Sequence, residues 1–161
     1  MPTVFGSLRN GFSVQRFQLS FTLLYQLGYY FRRSTIDYGR LFNGTLPGHS
    51  DYQRRWQSKG DELKTDIPSF QYPLAPYRDQ FFAYSEVPVT RGDHVRLQEV
   101  RVSYDCKEKS TDRSGFRQLQ FYLQAYNLGI VWKANHNGVD PDYLTTYTPP
   151  CSLSAGMKIV F

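Results

Sequence analysis

Residues 17–31 read FQLSFTLLYQLGYYF. The odd positions are Phe17, Leu19, Phe21, Leu23, Tyr25, Leu27, Tyr29 and Phe31, and the even ones include Gln18, Ser20, Thr22, Gln26 and Gly28. A strand turns successive side chains to opposite faces, whereas a helix gathers residues three and four apart. Strict alternation over this run therefore predicts a strand of about fifteen residues, well beyond the usual length of about five to six.

The same period extends outward. Upstream, Val4, Leu8, Phe12 and Val14 share one parity, and Gln15 and Arg16 make a short turn into the long run. Downstream, residues 95–104 (VRLQEVRVSY) put Val100, Val102 and Tyr104 on one face and Val95 and Leu97 on the other parity, which predicts a bulge near Gln98 and Glu99. Leu119, Phe121, Leu123 and Ala125 then alternate with Gln118, Gln120 and Gln124, and Leu153, Ala155, Met157, Ile159 and Phe161 alternate with Ser152, Ser154, Gly156 and Lys158. The fold class expected is all-β, with about five antiparallel up-and-down strands over residues 1–161.

The connections decide the environment. Those at 14–17 and 105–116 are short or modest, while 32–94 and 133–150 are long and rich in Gly, Pro, Asp, Tyr and Trp. A structureless connection of sixty residues is foreign to a compact soluble domain, where loops beyond about 12–15 residues are uncommon. Short turns at one end and long loops at the other form the pattern of outer-membrane barrels, whose short turns are periplasmic. Mean hydropathy is −0.52, and no apolar run reaches the length of about 18 residues that a spanning helix needs. Barrel strands escape that test because each is half polar. Five strands cannot close a barrel, and an open edge in lipid leaves backbone groups unsatisfied. The chain is therefore part of something larger or not a membrane protein.

Charge and motifs exclude other classes. The net charge of +5 comes from 19 Lys and Arg against 14 Asp and Glu, and the basic residues are scattered among acids, so no nucleic-acid partner is expected. His49, His94 and His136 are isolated, neither Cys106 nor Cys151 has a CxxC partner, and no GxSxG, P-loop or GxGxxG occurs. No enzyme activity, cofactor or metal is expected. Asp140-Pro141-Asp142 reads as a Pro-centred turn in preference to a calcium site, which needs six to eight ligands, and Arg91-Gly92-Asp93 reads as a turn into the third long strand. Residues 1–5, MPTVF, carry no export signal.

Five ordered stretches carry a family resemblance: FGSLRNGFSVQRFQLSFTLLYQLGYY, HSDYQRRWQSKGDELKTDIPSF, VTRGDHVRLQEVRVSYD, LQFYLQAYNLGIVWKANHNGVDPDY and the closing SAGMKIVF. Together they resemble the C-terminal segment of a SusC/RagA-type TonB-dependent outer-membrane transporter. The resemblance implies the last five strands of a plugged barrel of 22 strands, working with a SusD-like surface lipoprotein and importing glycans or peptides through TonB. Signal peptide, plug and TonB-contacting parts do not occur in the chain, so transport by the chain alone is not expected.

Further expectations follow from that likeness. Phe17, Leu19, Phe21, Leu23, Tyr25, Leu27, Leu119, Phe121, Leu123 and Met157 would face outer-membrane lipid. Phe17, Tyr104 and Phe161 would lie near one interface, and Tyr29, Phe31 and Trp132 near the other. Ser154, Gly156, Ile159 and Phe161 resemble the signal read by the barrel assembly machinery. Arg55, Trp56, Gly60 and Asp61 would stand on an extracellular loop, either contacting the lid or substrate or, for Trp56 and Asp61, packing and capping the loop. Cys106 and Cys151 would sit at opposite membrane ends, about 30 Å apart on the strand rise of about 3.3 Å per residue, beyond the reach of a disulfide. Two rivals stand beside this reading: a soluble β-sandwich carbohydrate-binding module, and a non-functional remnant of a transporter gene.

Overall fold

The computed structural model describes residues 1–46, 48–106, 118–144 and 147–160, with the side chains of Pro76 and Gln118 left aside. The chain forms two compact units, Met1–Tyr29 with Gly92–Phe161, and Tyr30–Arg91.

The first unit is one antiparallel sheet. Strand β1 (Val4–Val14) turns through Gln15 and Arg16 into β2 (Phe17–Leu27). Gln15 holds a left-handed φ of 55° at that turn. The predicted run to Phe31 ends at Leu27 instead. Gly28 has a φ of 73°, a conformation that favours glycine, and a Cβ there would lie 2.0 Å from Thr3 Oγ1.

The second unit begins with β3 (Tyr30–Arg32) and continues through the short helices α1 (Tyr38–Phe42) and α2 (Asp51–Arg54) and a 3-10 turn at Asp61–Leu63. It closes with α3 (Pro76–Tyr84) and β4 (Val89–Arg91), which pairs antiparallel with β3 from Tyr30↔Arg91 to Arg32↔Val89. The stretch expected as a long structureless loop is thus a folded insertion whose two ends meet in a ladder. Its core is Ile36, Tyr38, Ile67 and Phe82, flanked by Leu41 and Leu74. Tyr38 donates its hydroxyl to the Pro68 carbonyl at 2.6 Å and its backbone N–H to Asp79 Oδ2 at 2.9 Å, so the buried tyrosine leaves neither polar group orphaned.

The chain then returns to the first sheet through β5 (His94–Cys106), β6 (Gln118–Lys133) and β7 (Ser152–Val160), giving the order β1-β2-β5-β6-β7. The bulge read from the parity change at Gln98 and Glu99 is present: the register slips between Thr22 and Leu23 on β2 and between Leu97 and Glu99 on β5. β6 runs on past the alternating residues 118–125 to Lys133 and carries the compensating kinks, with Asn127 at φ 55° and Gly129 at φ 109°. The strand ends that flank the two shorter connections, Val14 with Phe17 and Cys106 with Gln118, lie at one end of the sheet, and both long connections leave from the other; residues 107–117 lie outside the described residues. The sheet is open, with β1 and β7 at its edges.

Candidate functional site

Directly paired residues in a ladder share a face, so the registers sort the five strands row by row. One row is Val14, Phe17, Tyr104, Phe121 and Met157, and the next is Phe12, Leu19, Val102, Leu123 and Ala155. Then follow Asn10, Phe21, Val100, Ala125 and Leu153, and beyond the bulge Leu8, Leu23, Leu97 and Gly129. Tyr25 sits with Gly6, Val95 and Trp132, and Leu27 with Val4. Leu119 pairs with Cys106 and Ile159. All ten residues expected toward lipid fall on this face, and none of its registered positions is charged. It is nonetheless uncovered: Leu123 is 60% exposed and Leu153 79%.

The opposite face holds Arg9, Glu99, Arg101, Asp105, Lys133 and Lys158 together with serines and glutamines, with Phe5, Leu24, Ile130 and Val160 as apolar exceptions. Gln18 and Gln120 donate to the two oxygens of Asp105 at 3.0 and 2.8 Å, Gln124 Nε2 donates to Glu99, and the Arg101 guanidinium lies 4.5 Å above the Tyr122 ring. Ser154 and Gly156 of the C-terminal motif lie on this polar face and Ile159 on the apolar one. Phe161 lies outside the described residues.

At the long-loop end, sequence reasoning missed an ionic cluster. Arg96 Nη2 donates to both oxygens of Asp140 at 2.7 and 2.8 Å, and its Nε donates to Asp142 at 3.2 Å. His94 is 1% exposed, with Nε2 3.1 Å from Asp142 and Nδ1 2.9 Å from the Gly92 carbonyl. The Asp-Pro-Asp segment is a turn, as Asp142 N–H donates to Asp140 Oδ1 at 3.0 Å, but its carboxylates serve to tie the β6–β7 connection to β5. Asp93 is buried and accepts from the Gly28 N–H at 2.6 Å, so its carboxylate is turned inward at the entry to β5. Tyr29 packs beside Gly92 and His94. Burial, then the charges of Asp142, Asp93 and Asp140, pushes its phenol up to about 12. Neither Tyr29 nor Phe31 joins the apolar face: Phe31 is a buried residue of the second unit. The signal for this cluster was charge at strand-end positions 94 and 96, which a lone histidine and a lone arginine do not announce.

The loop candidates belong to the second unit. Asp61 accepts from the backbone N–H groups of Ser58 and Gln57 at 2.9 and 3.1 Å, and these bonds, that from Ser58 foremost, hold its carboxyl below the usual range. Trp56 donates Nε1 to Glu62 at 3.1 Å and its backbone N–H to Ile67 O at 2.9 Å. Gly60, at φ 102°, donates its N–H to the same Glu62 at 2.8 Å. Arg55 turns back on Tyr52, 3.9 Å above its ring. Trp56, Gly60 and Asp61 thus brace one loop, and Glu62, overlooked in the sequence, is the shared acceptor. Asp51 is fully buried among Arg33, Arg54 and His49. Beside it, Leu41, Phe42, Tyr52 and Phe70 line an open cavity of about 790 Å³. Among the described residues no group of three or more His, Cys, Asp or Glu could hold a metal ion.

Cys106 ends β5 and Cys151 precedes β7 at the opposite end of the sheet, with β6 between, and both are free thiols.

No protein-family model matches the sequence, and no curated protein matches it. Solved structures do. One is a chain in the structure of the RagAB peptide importer in its "closed-closed" state, with a TM-score of 0.64 and 18% identity over 99% of this chain. Another, from a structure of the RagAB peptide transporter, gives 0.61 and 19% over 96%. The chain spans 17% of the length of each. The shared property is the fold: an open all-β sheet matching part of a barrel-type protein.

Proposed function

We propose that this chain is a section of the wall of an outer-membrane importer of the SusC type, taking up peptides or glycans together with a SusD-like surface lipoprotein. The observation that carries this reading is the complete segregation of charge across five strands. A soluble sandwich would bury the apolar face against a second sheet, whereas here the rows from Phe17 to Met157 stay uncovered while the polar face carries every strand charge. β2 has 11 residues, about 36 Å at about 3.3 Å per residue, and a tilt of about 45° reduces that to about 26 Å, close to the apolar band of about 25 Å in such barrels. Phe17, Tyr104 and Phe121 form an aromatic row at the short-turn end, and Tyr25 and Trp132 one nearer the other, as girdles at two interfaces require. Energy coupling through TonB would rest on other parts of the longer polypeptide.

The orientation is testable on Cys151, an exposed thiol at the long-loop end. In intact cells making the protein that contains this chain, a membrane-impermeant maleimide is expected to label Cys151 from outside, and Cys151→Ser removes that label. Labelling of Cys151 only after the outer membrane is opened would overturn the topology.

A further inference from the structure

Helix α3 carries aromatic rings on two opposite sides. Phe82 turns inward to the core of the second unit, and Asp79, on the same side, accepts from the Tyr38 N–H. Tyr77, Phe81 and Tyr84 stand at i, i+4 and i+7, the spacing of one helix face, and they are 85%, 78% and 73% exposed. A helix resting on a single core keeps its outward side polar, so a second aromatic side calls for a second covering layer. The three rings line a concavity of about 300 Å³ together with Gln80 and Ser85, and no charged residue lines it.

Size and charge choose among the occupants. An aromatic side chain buries roughly 150–250 Å², so the stripe offers about 500 Å², above the few hundred at which an exposed apolar patch marks an interaction site. A stable contact between separate proteins takes about 800 Å² per partner and must overcome the translational and rotational freedom that two free bodies lose. A segment tethered to the same polypeptide has lost that freedom already, so a smaller patch suffices. A membrane surface would call for cations beside the rings. Arg78 instead donates to the Ser69 carbonyl and to Gln71, and Arg32 donates to the Ala83 and Ser85 carbonyls at the end of α3.

The importer reading supplies such a segment. The chain spans only 17% of the length of the chains that it matches, and β1 and β7 leave both edges of the sheet open. The insertion that carries α3 departs between β2 and β5 at the long-loop end, the end at which the strands continuing a barrel also send out their long loops.

We infer that the stripe of Tyr77, Phe81 and Tyr84 docks an uncharged, apolar loop of the same longer polypeptide, from outside residues 1–161. The inference rests on the importer reading, which provides that polypeptide.

The test is photo-crosslinking in the protein that contains this chain, in intact outer membranes. Phe81→p-benzoylphenylalanine and, separately, Tyr84→p-benzoylphenylalanine are illuminated, and the crosslinked peptides are mapped by mass spectrometry. Leu63, 89% exposed and off the stripe, is the control position. Crosslinks from positions 81 and 84 to peptides of the same polypeptide outside residues 1–161 are expected, with a yield at least about ten-fold above that from position 63 and unchanged in cells that lack the surface lipoprotein. Crosslinks that run to the lipoprotein, to a second copy or to lipid, or a yield no higher than at position 63, overturn the docking. Hydroxyl-radical footprinting of the unmodified protein reads the same burial without a variant: protection factors at Tyr77 and Tyr84 at least about ten-fold above that at Leu63 are expected, and equal factors overturn the docking. Either failure leaves the importer reading standing, whereas a Trp132 out of contact with lipid sinks the importer reading and the docking with it.

Discussion

Tyr122 of β6 lies across Gly156, its register partner on β7: a Cβ added at Gly156 would stand 2.5 Å from the tyrosine Oη and 2.6 Å from Cζ. The aromatic ring covers the backbone that the glycine leaves bare, the arrangement by which sheets offset glycine in a strand. Gly156 is therefore needed where it is, although glycine is the poorest residue for a strand by conformational entropy.

Gly11 supplies the contrast. An added Cβ there meets nothing nearer than Leu19 O at 3.8 Å. Gly11→Ala is expected to be neutral or stabilising by about 0.5 kcal/mol, whereas Gly156→Ala must swing Tyr122 aside and is expected to destabilise by about 1 kcal/mol. Urea unfolding of the micelle-bound chain measures both, and equal effects at the two sites would contradict the role given to Tyr122.

Depth along the apolar face sets the cost of a charge. Phe21 lies in the middle rows, paired with Asn10 and Val100, and Phe17 lies in the last row before the short turn. Phe21→Arg is expected to cost about 2 to 4 kcal/mol of insertion stability and Phe17→Arg about 1 or less, the depth profile of a barrel wall in lipid. A flat profile in vesicle refolding titrations would speak against membrane burial.

Two carboxylates of the second unit respond to acid with opposite signs. Asp61, held low by the Ser58 and Gln57 N–H groups, contributes stability that is present above its unfolded value of 3.8 and is lost as the pH falls through the lower folded value. Burial outweighs the Tyr38 N–H bond and the Arg78 charge at Asp79 and raises its carboxyl. Its contribution therefore declines as the pH rises from the unfolded to the folded value. Hydrogen exchange of the Trp56 N–H, bonded to Ile67 O, reports on the first loop, and exchange of the Tyr38 N–H, bonded to Asp79, on the second site. Asp61→Asn is expected to flatten the acid dependence at Trp56, and Asp79→Asn that at Tyr38. Unchanged profiles in the variants would contradict these assignments.

Alternation made the first sheet legible residue by residue, down to the bulge at Gln98, because a one-residue slip moves every following side chain to the other face and so leaves its mark in the parity of Val95, Leu97 and Val100. The end of β2 was not legible. Tyr29 and Phe31 keep the alternation going, and only the left-handed backbone at Gly28 and the buried Asp93 that accepts from it redirect the chain. The insertion at 30–91 was hidden because its core uses Ile36, Tyr38, Ile67 and Phe82, four residues spread too widely to produce any period. Asp61 was readable as a cap of its turn, whereas Asp51 and the Arg96 cluster depend on partners distant in sequence.

The central claim is that the uncharged face meets lipid, and the two native tryptophans test it. Trp132 is 50% exposed on that face, paired with Val95, while Trp56 belongs to the second unit and is bonded to Glu62. The measurement is quenching of tryptophan emission by lipids brominated on their acyl chains, made on the W56F and W132F variants in vesicles. Loss of most of the Trp132 emission with Trp56 unaffected is the predicted result, and a Trp132 as insensitive to bromine as Trp56 would contradict the account.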